Sequence, residues 1–340
     1  MFKTEDQLED RLTTPSAALV DDLRGGNGDL VVLGAGGKMG PTLCRLARRG
    51  LDAAGRGADR VLAVSRWSNP AAARMLSDYG VDVVPFDLLA DRDLAGLPDA
   101  PNVIFMVGAK FGTSAHPDLA WAVNVALPDR VARRYAGARI VALSTGNIYP
   151  YVPMTSGGCQ EDEHPAPVGE YAMTCLGRER MLSHAAATRG TPVTLLRLNY
   201  AIDLRYGVLA DIGQQVLAGE PVDVRTPAVN VVWQGYANEV ILRAVGHAAT
   251  EPFVLNLTGP ETAYVRRIAT QFGGRFGVEP AFHGEEGPTA LLSDAQRCHR
   301  LFGYPDVPLG ALIDWQADWL AAGLPMLGKP TKFASRAGDF

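Results

Sequence analysis

A short apolar run that ends in regularly spaced glycines constrains this chain more than any other feature. The run Leu30–Leu33 is followed by glycines three residues apart, at positions 34, 37 and 40, and a helix-like segment covers 41–49. Glycine allows a sharp turn and leaves the backbone N–H groups bare, because it has no Cβ. Bare amides at the positive end of a helix attract phosphate groups. The pattern predicts a strand, turn and helix that bind a dinucleotide pyrophosphate.

Composition limits the class of protein. The chain has 340 residues, of which 47% are hydrophobic, and a formal net charge of -5. This size and apolar content allow a substantial core, in one large domain or two closely joined ones. The mild acidity argues against a nucleic-acid partner, which requires a basic surface. We therefore expect a globular protein that binds a small molecule.

The chain shows no targeting or disulfide pattern. No apolar run approaches the roughly 20 residues that cross a bilayer, and the polar, acidic segment 1–10 does not resemble a secretory signal. Cys44, Cys159, Cys175 and Cys298 are far apart and form no CxxC pair. We expect a cytoplasmic protein with no metal site and no membrane contact.

Apolar strands alternate with helical segments along most of the chain. The predicted strands cover 30–33, 61–64, 81–86, 102–107, 139–143, 193–198 and 253–257. The main predicted helices cover 4–24, 71–79, 116–135, 170–188, 209–218, 236–247, 266–276, 289–302 and 309–320, with breaks at Pro15 and near Pro128. Strands that are apolar throughout form a parallel sheet covered on both faces. The expected fold class is α/β, a doubly wound Rossmann sheet with a smaller C-terminal α/β substrate-binding cap.

The same pattern predicts how the chain is divided. The predicted parts are an N-terminal helical extension (1–28), a dinucleotide-binding domain (29–198 with about 229–257), a substrate-binding cap (about 199–228 and 258–325) and an irregular tail (326–340).

Further motifs follow the glycine turn in order. They are Asp87-Leu88, Asn124-Val125, the segment 144–149 (Ser-Thr-Gly-Asn-Ile-Tyr), Tyr171 with Glu179, and the segment 197–200 (Arg-Leu-Asn-Tyr). Together these motifs resemble the extended short-chain dehydrogenase/reductases, the NAD-dependent epimerase/dehydratase family, over roughly residues 29–320. The resemblance implies a Rossmann domain with a cap, a nicotinamide cofactor and a sugar-like substrate.

The end of the second strand bears on the choice of cofactor. An acidic side chain there holds the ribose 2′-hydroxyl of NAD, but this chain has Ser65 and Arg66. A hydroxyl and a guanidinium suit a phosphate dianion, so the sequence favours NADP over NAD. The resemblance places Asp87 near the adenine. The expected cofactor-binding residues are Gly34, Ala35, Gly36, Gly37, Lys38, Met39, Gly40, Ser65, Arg66, Asp87, Leu88, Val107, Gly108, Asn124, Tyr171 and Asn199.

The expected catalytic residues depart from the family pattern at one position. The resemblance implies a Ser or Thr, a Tyr, and a Lys four residues after that Tyr. Thr145, with Ser144 as the alternative, and Tyr171 supply the first two, but Cys175 stands where the Lys is expected. A tyrosine has an ordinary pKa of about 10, which an adjacent ammonium lowers and a neutral thiol does not. The expected catalytic group therefore lacks its cation.

Three sources of positive charge remain open as replacements. Arg178 follows Tyr171 by seven residues, about two helical turns. Lys110 lies in the loop after the fourth strand, at the sheet edge where ligands of such folds bind. The third source is the charge of the oxidised nicotinamide itself. The catalytic candidates are Tyr171, Thr145, Ser144, Lys110 and Cys175.

Residues after the fifth and sixth strands are expected to face the substrate. The candidates for substrate contact are Lys110, Asn147, Tyr149, Tyr200, Arg205 and Trp233. The predicted function is hydride transfer by an NAD(P)-dependent oxidoreductase, epimerase or dehydratase. Its substrate is a sugar, a nucleotide-sugar or a related polyhydroxylated molecule.

The alternative function is a non-catalytic NAD(P)-binding sensor or scaffold that has lost the Lys. The presence of both Tyr171 and Thr145 favours an enzyme over that alternative. The resemblance also implies a homodimer, which would form through helices near 117–136 and 170–188.

Overall fold

The computed structural model describes residues 2–90 and 93–338. Its strands are β1 (Leu30–Leu33), β2 (Val61–Ser65), β3 (Asp82–Pro85), β4 (Asn102–Phe105), β5 (Arg139–Thr145), β6 (Val152–Pro153), β7 (Val193–Leu198), β8 (Ala201–Ile202), β9 (Val222–Asp223), β10 (Ala228–Val229), β11 (Val232–Trp233), β12 (Phe253–Leu257), β13 (Ala263–Tyr264), β14 (Phe282–His283) and β15 (Thr289–Ala290). Its α-helices are α1 (Glu5–Leu12), α2 (Ala17–Arg24), α3 (Gly40–Ala53), α4 (Pro70–Asp78), α5 (Pro117–Trp121), α6 (Leu127–Arg134), α7 (Gly169–Arg189), α8 (Val208–Ala218), α9 (Gln234–Arg243), α10 (Val265–Phe276), α11 (Gln296–Phe302) and α12 (Leu309–Ala321).

The long strands of the described residues form one seven-stranded parallel sheet, which confirms the predicted fold class. The order across the sheet is β12-β7-β5-β4-β1-β2-β3. The chain runs from β1 outward to β3 and then returns to add β4 on the other side of β1. The direction of winding therefore reverses between β1 and β4. A crevice opens at such a reversal, beyond the carboxyl ends of the strands, and ligands of open α/β sheets bind there.

The central strands of the sheet are buried on both faces because most of their residues are apolar. In β1, Val32 packs into one core with Leu43 of α3, whereas Val31 and Leu33 pack into a second core with Leu182 of α7. Each such side chain contributes about 1.5–3 kcal/mol when it is fully buried. The two cores hold the carboxyl edge of the sheet rigid, which fixes the loops that follow β1, β4 and β5.

The N-terminal helices belong to the first of these cores. Leu8, Leu12 and Leu19 are buried there, and the break between α1 and α2 falls at 13–16, around Pro15 as predicted. After β7 the chain forms two-stranded ladders, β10 with β13 and β9 with β14. Whether the molecule divides into a sheet domain and a cap at the predicted boundaries stays a prediction. No helix among the described residues has both the length and the apolar character needed to cross a membrane.

One helix prediction needs correction and another is confirmed. The predicted helix over 289–302 is helical only over Gln296–Phe302, because Thr289–Ala290 forms an antiparallel ladder with Val152–Pro153. The helix predicted over 116–135 is interrupted near Pro128 as expected: a π-helical turn, Ala122–Ala126, separates α5 from α6, and Pro128 is the second residue of α6. That wider turn accommodates a residue that has no N–H to donate.

The tail beyond α12 has no regular secondary structure within its described part, which agrees with the expectation. Positions 339 and 340 lie outside the described residues. Residues 331–338, called the C-terminal strap below, return to the body of the protein. Phe333 is buried in the first core, and Arg336 donates hydrogen bonds to the backbone oxygen and hydroxyl of Thr289.

Candidate active site

The glycine turn after β1 is shaped so that side chains cannot fit. Gly34 has a φ of +89°, and a Cβ there would lie 3.0 Å from the backbone nitrogen of Val107. A Cβ at Gly40 would lie 2.2 Å from the carbonyl oxygen of Ala35. Helix α3 starts at Gly40, and its N-cap residue, Met39, makes no side-chain capping bond. The first amides of α3 are thus left for another acceptor, and the turn fits the pyrophosphate of a dinucleotide.

The loop after β4 forms the opposite side of the crevice and is held by Asn124. The Asn124 side chain accepts a hydrogen bond from the Ala109 nitrogen (2.9 Å) and donates one to the Ala109 oxygen (2.8 Å). Asn124 lies in the π-helical turn and is fully buried. Asn124, which we predicted to bind the cofactor, therefore positions the loop after β4. Gly108 of that loop forms part of the cavity wall.

A cavity of about 300 Å³ lies where the glycine turn, this loop and the end of β5 meet. Many of the predicted residues line it. They are Gly34, Gly37, Lys38, Met39, Gly40, Gly108, Lys110, Ser144, Thr145, Asn147, Tyr171, Asn199 and Tyr200. The structure thus brings the expected cofactor turn and the expected catalytic hydroxyls to one place.

Tyr171 and Thr145 are in contact at the wall of this cavity. Tyr171 lies in the first turn of α7, Thr145 is the last residue of β5, and both residues line the cavity. The Thr145 hydroxyl donates to the Asn147 side-chain oxygen (3.2 Å) and accepts a hydrogen bond from the Asn147 nitrogen (3.2 Å), which fixes its rotamer. Burial raises the pKa of Tyr171 well above its ordinary value, and the Thr145 hydroxyl opposes that rise. A donor that favours the phenolate is what a proton-transferring tyrosine requires.

Cys175 and Arg178 lie beside Tyr171 on the same helix. The Cys175 side chain is 1% exposed, and burial raises the pKa of its thiol, so the thiol is neutral. The Arg178 guanidinium is also buried; it donates to the Leu143 oxygen (2.6 Å) and to the Asn124 side-chain oxygen (2.7 Å). Its charge lowers the pKa of both Tyr171 and Cys175, against the larger effect of burial. Arg178 also lines the cavity.

Ser144 and Tyr149, which we expected near the reacting centre, belong to a buried network, and of the two only Ser144 also lines the cavity. The Ser144 hydroxyl donates to Glu179 (2.5 Å), and Glu179 forms an ion pair with Arg197 (2.9 Å). Arg197 donates to the Tyr149 hydroxyl, which donates in turn to Asn256. Tyr149 is 1% exposed, so the prediction that it contacts substrate is wrong. Adjacent strand residues point to opposite sides, which explains why Thr145 and not Ser144 contacts Tyr171.

Two other residues predicted to contact substrate are also placed elsewhere. Trp233 is 1% exposed and packs edge-on against Trp315 in the core. Arg205 forms ion pairs with Asp203 (2.8 Å) and with Glu9 of α1 (2.7 Å). These contacts fix the N-terminal helices to the segment after β8. Both predictions are corrected, because each side chain is occupied by contacts within the protein.

The residues expected at the adenosine end lie around the ends of β2 and β3. Ser65 lies so close to Gly36 that a Cβ on that glycine would meet its hydroxyl at 2.5 Å, and Arg66 is exposed. The carboxylate of Asp87 accepts a hydrogen bond from the Leu89 nitrogen (2.9 Å), and Leu88 is buried. Asp87 therefore closes a turn, and Ser65 lies beside the glycine turn.

Sequence reasoning missed one wall of the cavity. Tyr206 lines it and lies under the ammonium of Lys38, 3.6 Å from the ring centre. Thr331 of the C-terminal strap lines it as well, and the Lys110 ammonium donates to the Thr331 oxygen (3.4 Å). Tyr206 follows the motif at 197–200 closely, so the sequence could have predicted it as a residue of the cavity. Nothing in the local sequence indicates that Thr331 lines the cavity.

A parallel sheet with a phosphate-binding turn at its point of reversal, and a Tyr–Thr pair beside it, define a dinucleotide-dependent enzyme. The sequence profile of the NAD dependent epimerase/dehydratase family matches residues 30–202. The chain belongs to that family and is an enzyme of it. No sequence among the curated proteins matches this chain.

Solved structures share the fold at low sequence identity. MoeE5 in complex with UDP-glucose and NAD has a TM-score of 0.70 at 18% identity, over 87% of this chain and 99% of that one. UDP-glucuronic acid 4-epimerase of Bacillus cereus, with UDP-glucuronic acid and NAD, has a TM-score of 0.70 at 16% identity, over 86% and 99%. UDP-glucose 4-epimerase of Thermotoga maritima, with UDP-glucose, has a TM-score of 0.68 at 16% identity, over 87% and 99%. At these identities the similarity establishes the fold.

Proposed function

We propose that this enzyme interconverts a hydroxyl and a carbonyl group of a polyhydroxylated small molecule, with Tyr171 and Thr145 at the reacting oxygen. The observation that supports this proposal is the placement of Tyr171 and Thr145 together in the wall of the cavity that the glycine turn also lines. A bound nicotinamide cofactor supplies the acceptor or donor of hydride. The test is turnover of NADP⁺ and NAD⁺ with a panel of sugars, sugar acids and nucleotide-sugars, and its loss in Tyr171→Phe.

The chain's own residues divide the remaining work. The amides at the start of α3 and the glycines of the turn would hold the pyrophosphate. The Thr145 hydroxyl donates to the reacting oxygen and orients it. The Tyr171 oxygen accepts the hydroxyl proton during oxidation and returns it during reduction. The buried network of Glu179 and Arg197 fixes the end of β5, so that Thr145 stays opposite Tyr171.

We further propose that Arg178 replaces the missing Lys as the cation beside Tyr171. Its guanidinium lies so close to Gly108 that a Cβ there would be 3.1 Å from it, at the wall where the cofactor's nicotinamide end would lie. It is fixed by two strong acceptors, the Leu143 oxygen and Asn124. A charge held in a buried position acts on a neighbouring phenol more strongly than one in water. Arg178 is a positioning residue for the phenolate charge, since the hydroxyl of Tyr171 carries the proton.

Replacing Arg178 by Gln is expected to lower kcat by about 100-fold, within the range that proton transfer contributes. The Arg178 charge lowers the pKa of Tyr171, so loss of the guanidinium raises that pKa. Cys175 and Thr145 carry no charge that could compensate, and Lys110 is another cation nearby. The Tyr171 phenolate, which oxidation needs, then forms at higher pH. The pH–rate profile therefore shifts to higher pH. Measurement of kcat against pH checks this.

The matched variants are Arg178→Lys, which keeps the charge, and Arg180→Gln, which removes an exposed arginine from the same helix. Cys175→Lys in the Arg178→Gln background restores an ammonium one helical turn from Tyr171, and should return the profile toward that of the wild type. An Arg178→Gln enzyme with the wild-type profile contradicts this role.

We also propose that the enzyme prefers NADP over NAD. The support is the pair Ser65–Arg66 beside the glycine turn, with Arg66 exposed and no carboxylate at the end of β2 to repel a 2′-phosphate. Dimerisation through α5–α6 and α7 stays a prediction, supported by the exposed apolar side chains of Leu119, Trp121 and Met173 on these helices.

Arg66→Asp is expected to reverse the cofactor preference. A carboxylate repels the 2′-phosphate and accepts from the ribose hydroxyl, so the affinity for NADP⁺ should fall by about 10- to 100-fold, the size of a charge-assisted hydrogen bond. Affinity for NAD⁺ should stay equal or rise. Calorimetric titration of both cofactors measures the ratio, and equal losses for the two cofactors would contradict the assignment.

A further inference from the structure

Asp211 of helix α8 joins the C-terminal strap to the body of the protein. Its carboxylate accepts hydrogen bonds from the Thr331 nitrogen (2.7 Å) and from the Thr331 hydroxyl (2.6 Å). The same hydroxyl accepts a hydrogen bond from the Phe333 nitrogen (3.3 Å), so the rotamer of Thr331 is fixed. Thr331 is buried and lines the cavity. Strap and helix are therefore bonded to each other at the wall of the candidate active site.

The backbone of the strap has a defined shape at this point. Lys332, which stands between Thr331 and Phe333, has a φ of +54°, in the left-handed region. A residue with a Cβ is uncommon in that region and persists where the surrounding structure fixes it. Asp211 fixes Thr331 on one side, and burial in the first core fixes Phe333 on the other. The position of the Thr331 carbonyl group is thus determined from both sides.

This carbonyl group contacts a cation of the cavity. The Lys110 ammonium donates a hydrogen bond to the Thr331 oxygen (3.4 Å). The same ammonium lies 5.7 Å from the centre of the Tyr171 ring and 5.8 Å from that of the Tyr200 ring. Lys110, Tyr171 and Thr331 all line the cavity. The strap is therefore joined to the reacting centre through the ammonium of Lys110.

Asp211 is also a charge partner of the cavity lysines. Burial lowers the pKa of Lys110 to about 8, and the Asp211 carboxylate opposes that change. Burial lowers the pKa of Lys38 to about 7, against the charges of Asp203 and Asp211. Burial raises the pKa of the Asp211 carboxyl, and the hydrogen bonds from Thr331 and the two lysines oppose that rise. Other titratable groups around Lys110 are Cys175, Tyr171, Tyr200 and Lys332.

We infer that the C-terminal strap is a functional part of the active site, in which Asp211 and Thr331 are positioning residues that hold the Lys110 ammonium beside Tyr171. This inference rests on the proposed function and adds two residues to it. A positive charge close to a phenol favours the phenolate, so Lys110 adds a second charge to that of Arg178. The strap supplies no reacting group. It determines where the ammonium lies and, through Asp211, how firmly the ammonium keeps its proton.

The first measurement is the rate at which Lys110 is acylated as a function of pH, which needs no turnover. Only the neutral amine reacts, and the chain has five lysines, which mass spectrometry of peptides separates. Asp211→Asn removes the carboxylate charge but keeps an oxygen that accepts from Thr331. The titration midpoint of Lys110 should therefore fall by about 1 pH unit. Thr331→Val removes one donor to Asp211 and should also make Lys110 more reactive, whereas Thr331→Ser should not.

The second measurement is kcat against pH. Asp211→Asn and Thr331→Val should each lower kcat by about 10-fold, the factor that corresponds to a change of 1 in the pKa of Tyr171. The profile should shift to higher pH, and the KM for NADP⁺ should stay unchanged. The matched controls are Asp314→Asn and Thr270→Val, which alter exposed residues of α12 and α10. They should change neither the labelling of Lys110 nor kcat.

The two measurements separate this inference from the proposed function. Unchanged labelling of Lys110 in both Asp211→Asn and Thr331→Val overturns the inference and leaves the proposed function as it stands. A loss of kcat without a change in labelling, which Thr331→Ser does not restore, also overturns it, because the strap then acts on stability alone. Altered labelling in an enzyme that turns over no substrate supports the placement of Lys110 and contradicts the proposed function. The two variants change one contact from opposite sides, so either decides the test if the other does not fold.

Discussion

Tyr171→Phe is expected to reduce kcat by about 1,000-fold and to leave the affinity for NADP⁺ unchanged. The substitution removes one oxygen from a half-buried residue of the cavity wall, and positioned acid–base groups contribute about 100- to 10,000-fold to rate. Phenylalanine keeps the packing of the ring, so the melting temperature should change little. Steady-state kinetics and a cofactor titration measure the two quantities separately.

Tyr304→Phe is the matched control, because Tyr304 is 68% exposed and remote from the cavity. Thr145→Val should lower kcat as well, by a smaller factor, since it removes a hydroxyl that lowers the pKa of Tyr171. If Tyr171→Phe turns over at the wild-type rate with every substrate, another group moves the proton and the proposed roles of Tyr171 and Thr145 are wrong.

Gly40→Ala is expected to abolish tight cofactor binding, with a loss of at least about 100-fold in affinity, which corresponds to about 2.7 kcal/mol. The added Cβ would lie 2.2 Å from the carbonyl oxygen of Ala35, and both the Ala35 carbon and its Cα are within 2.7 Å. These are backbone atoms of the glycine turn. The steric overlap with the added Cβ can be relieved only if the turn and the start of α3 move apart. The amides would then no longer converge on one phosphate.

Gly274→Ala provides the control, because a Cβ at this helical glycine meets no atom within 4 Å. It should leave the affinity for NADP⁺ unchanged and raise stability slightly, as alanine favours the helix by about 1 kcal/mol. The overpacking at Gly40 should also lower the melting temperature. Wild-type affinity for NADP⁺ in Gly40→Ala would mean that the pyrophosphate binds elsewhere.

The fold was predictable where a single local pattern determined it. The strands 193–198 and 253–257 were predicted to the residue, because short, mostly apolar runs suit a sheet buried on both faces. The segment 289–302 was predicted as one helix, but its first residues pair with β6, which is far away in sequence. The local periodicity of a sequence does not predict which distant segments pair as strands.

The candidate site was predictable as a set of motifs, but not in the direction of individual side chains. Thr145 and Tyr171 meet as expected, because β5 ends and α7 begins at the carboxyl edge of the sheet. Tyr149, Trp233 and Arg205 also have side chains suited to a sugar. In the structure, however, Tyr149 and Trp233 are packed in the interior, and Arg205 pairs with the N-terminal helix α1. A side chain's partner decides its role, and that partner comes from the tertiary structure.

The end of the C-terminal strap touches the helix that carries Tyr171. Gly338 packs against Gly169, the first residue of α7, so closely that a Cβ on Gly169 would lie 2.8 Å from the Gly338 oxygen. The strap therefore contacts both the cavity wall, through Thr331, and the first turn of the helix that orients Tyr171. Its position is thus coupled to the position of the phenol.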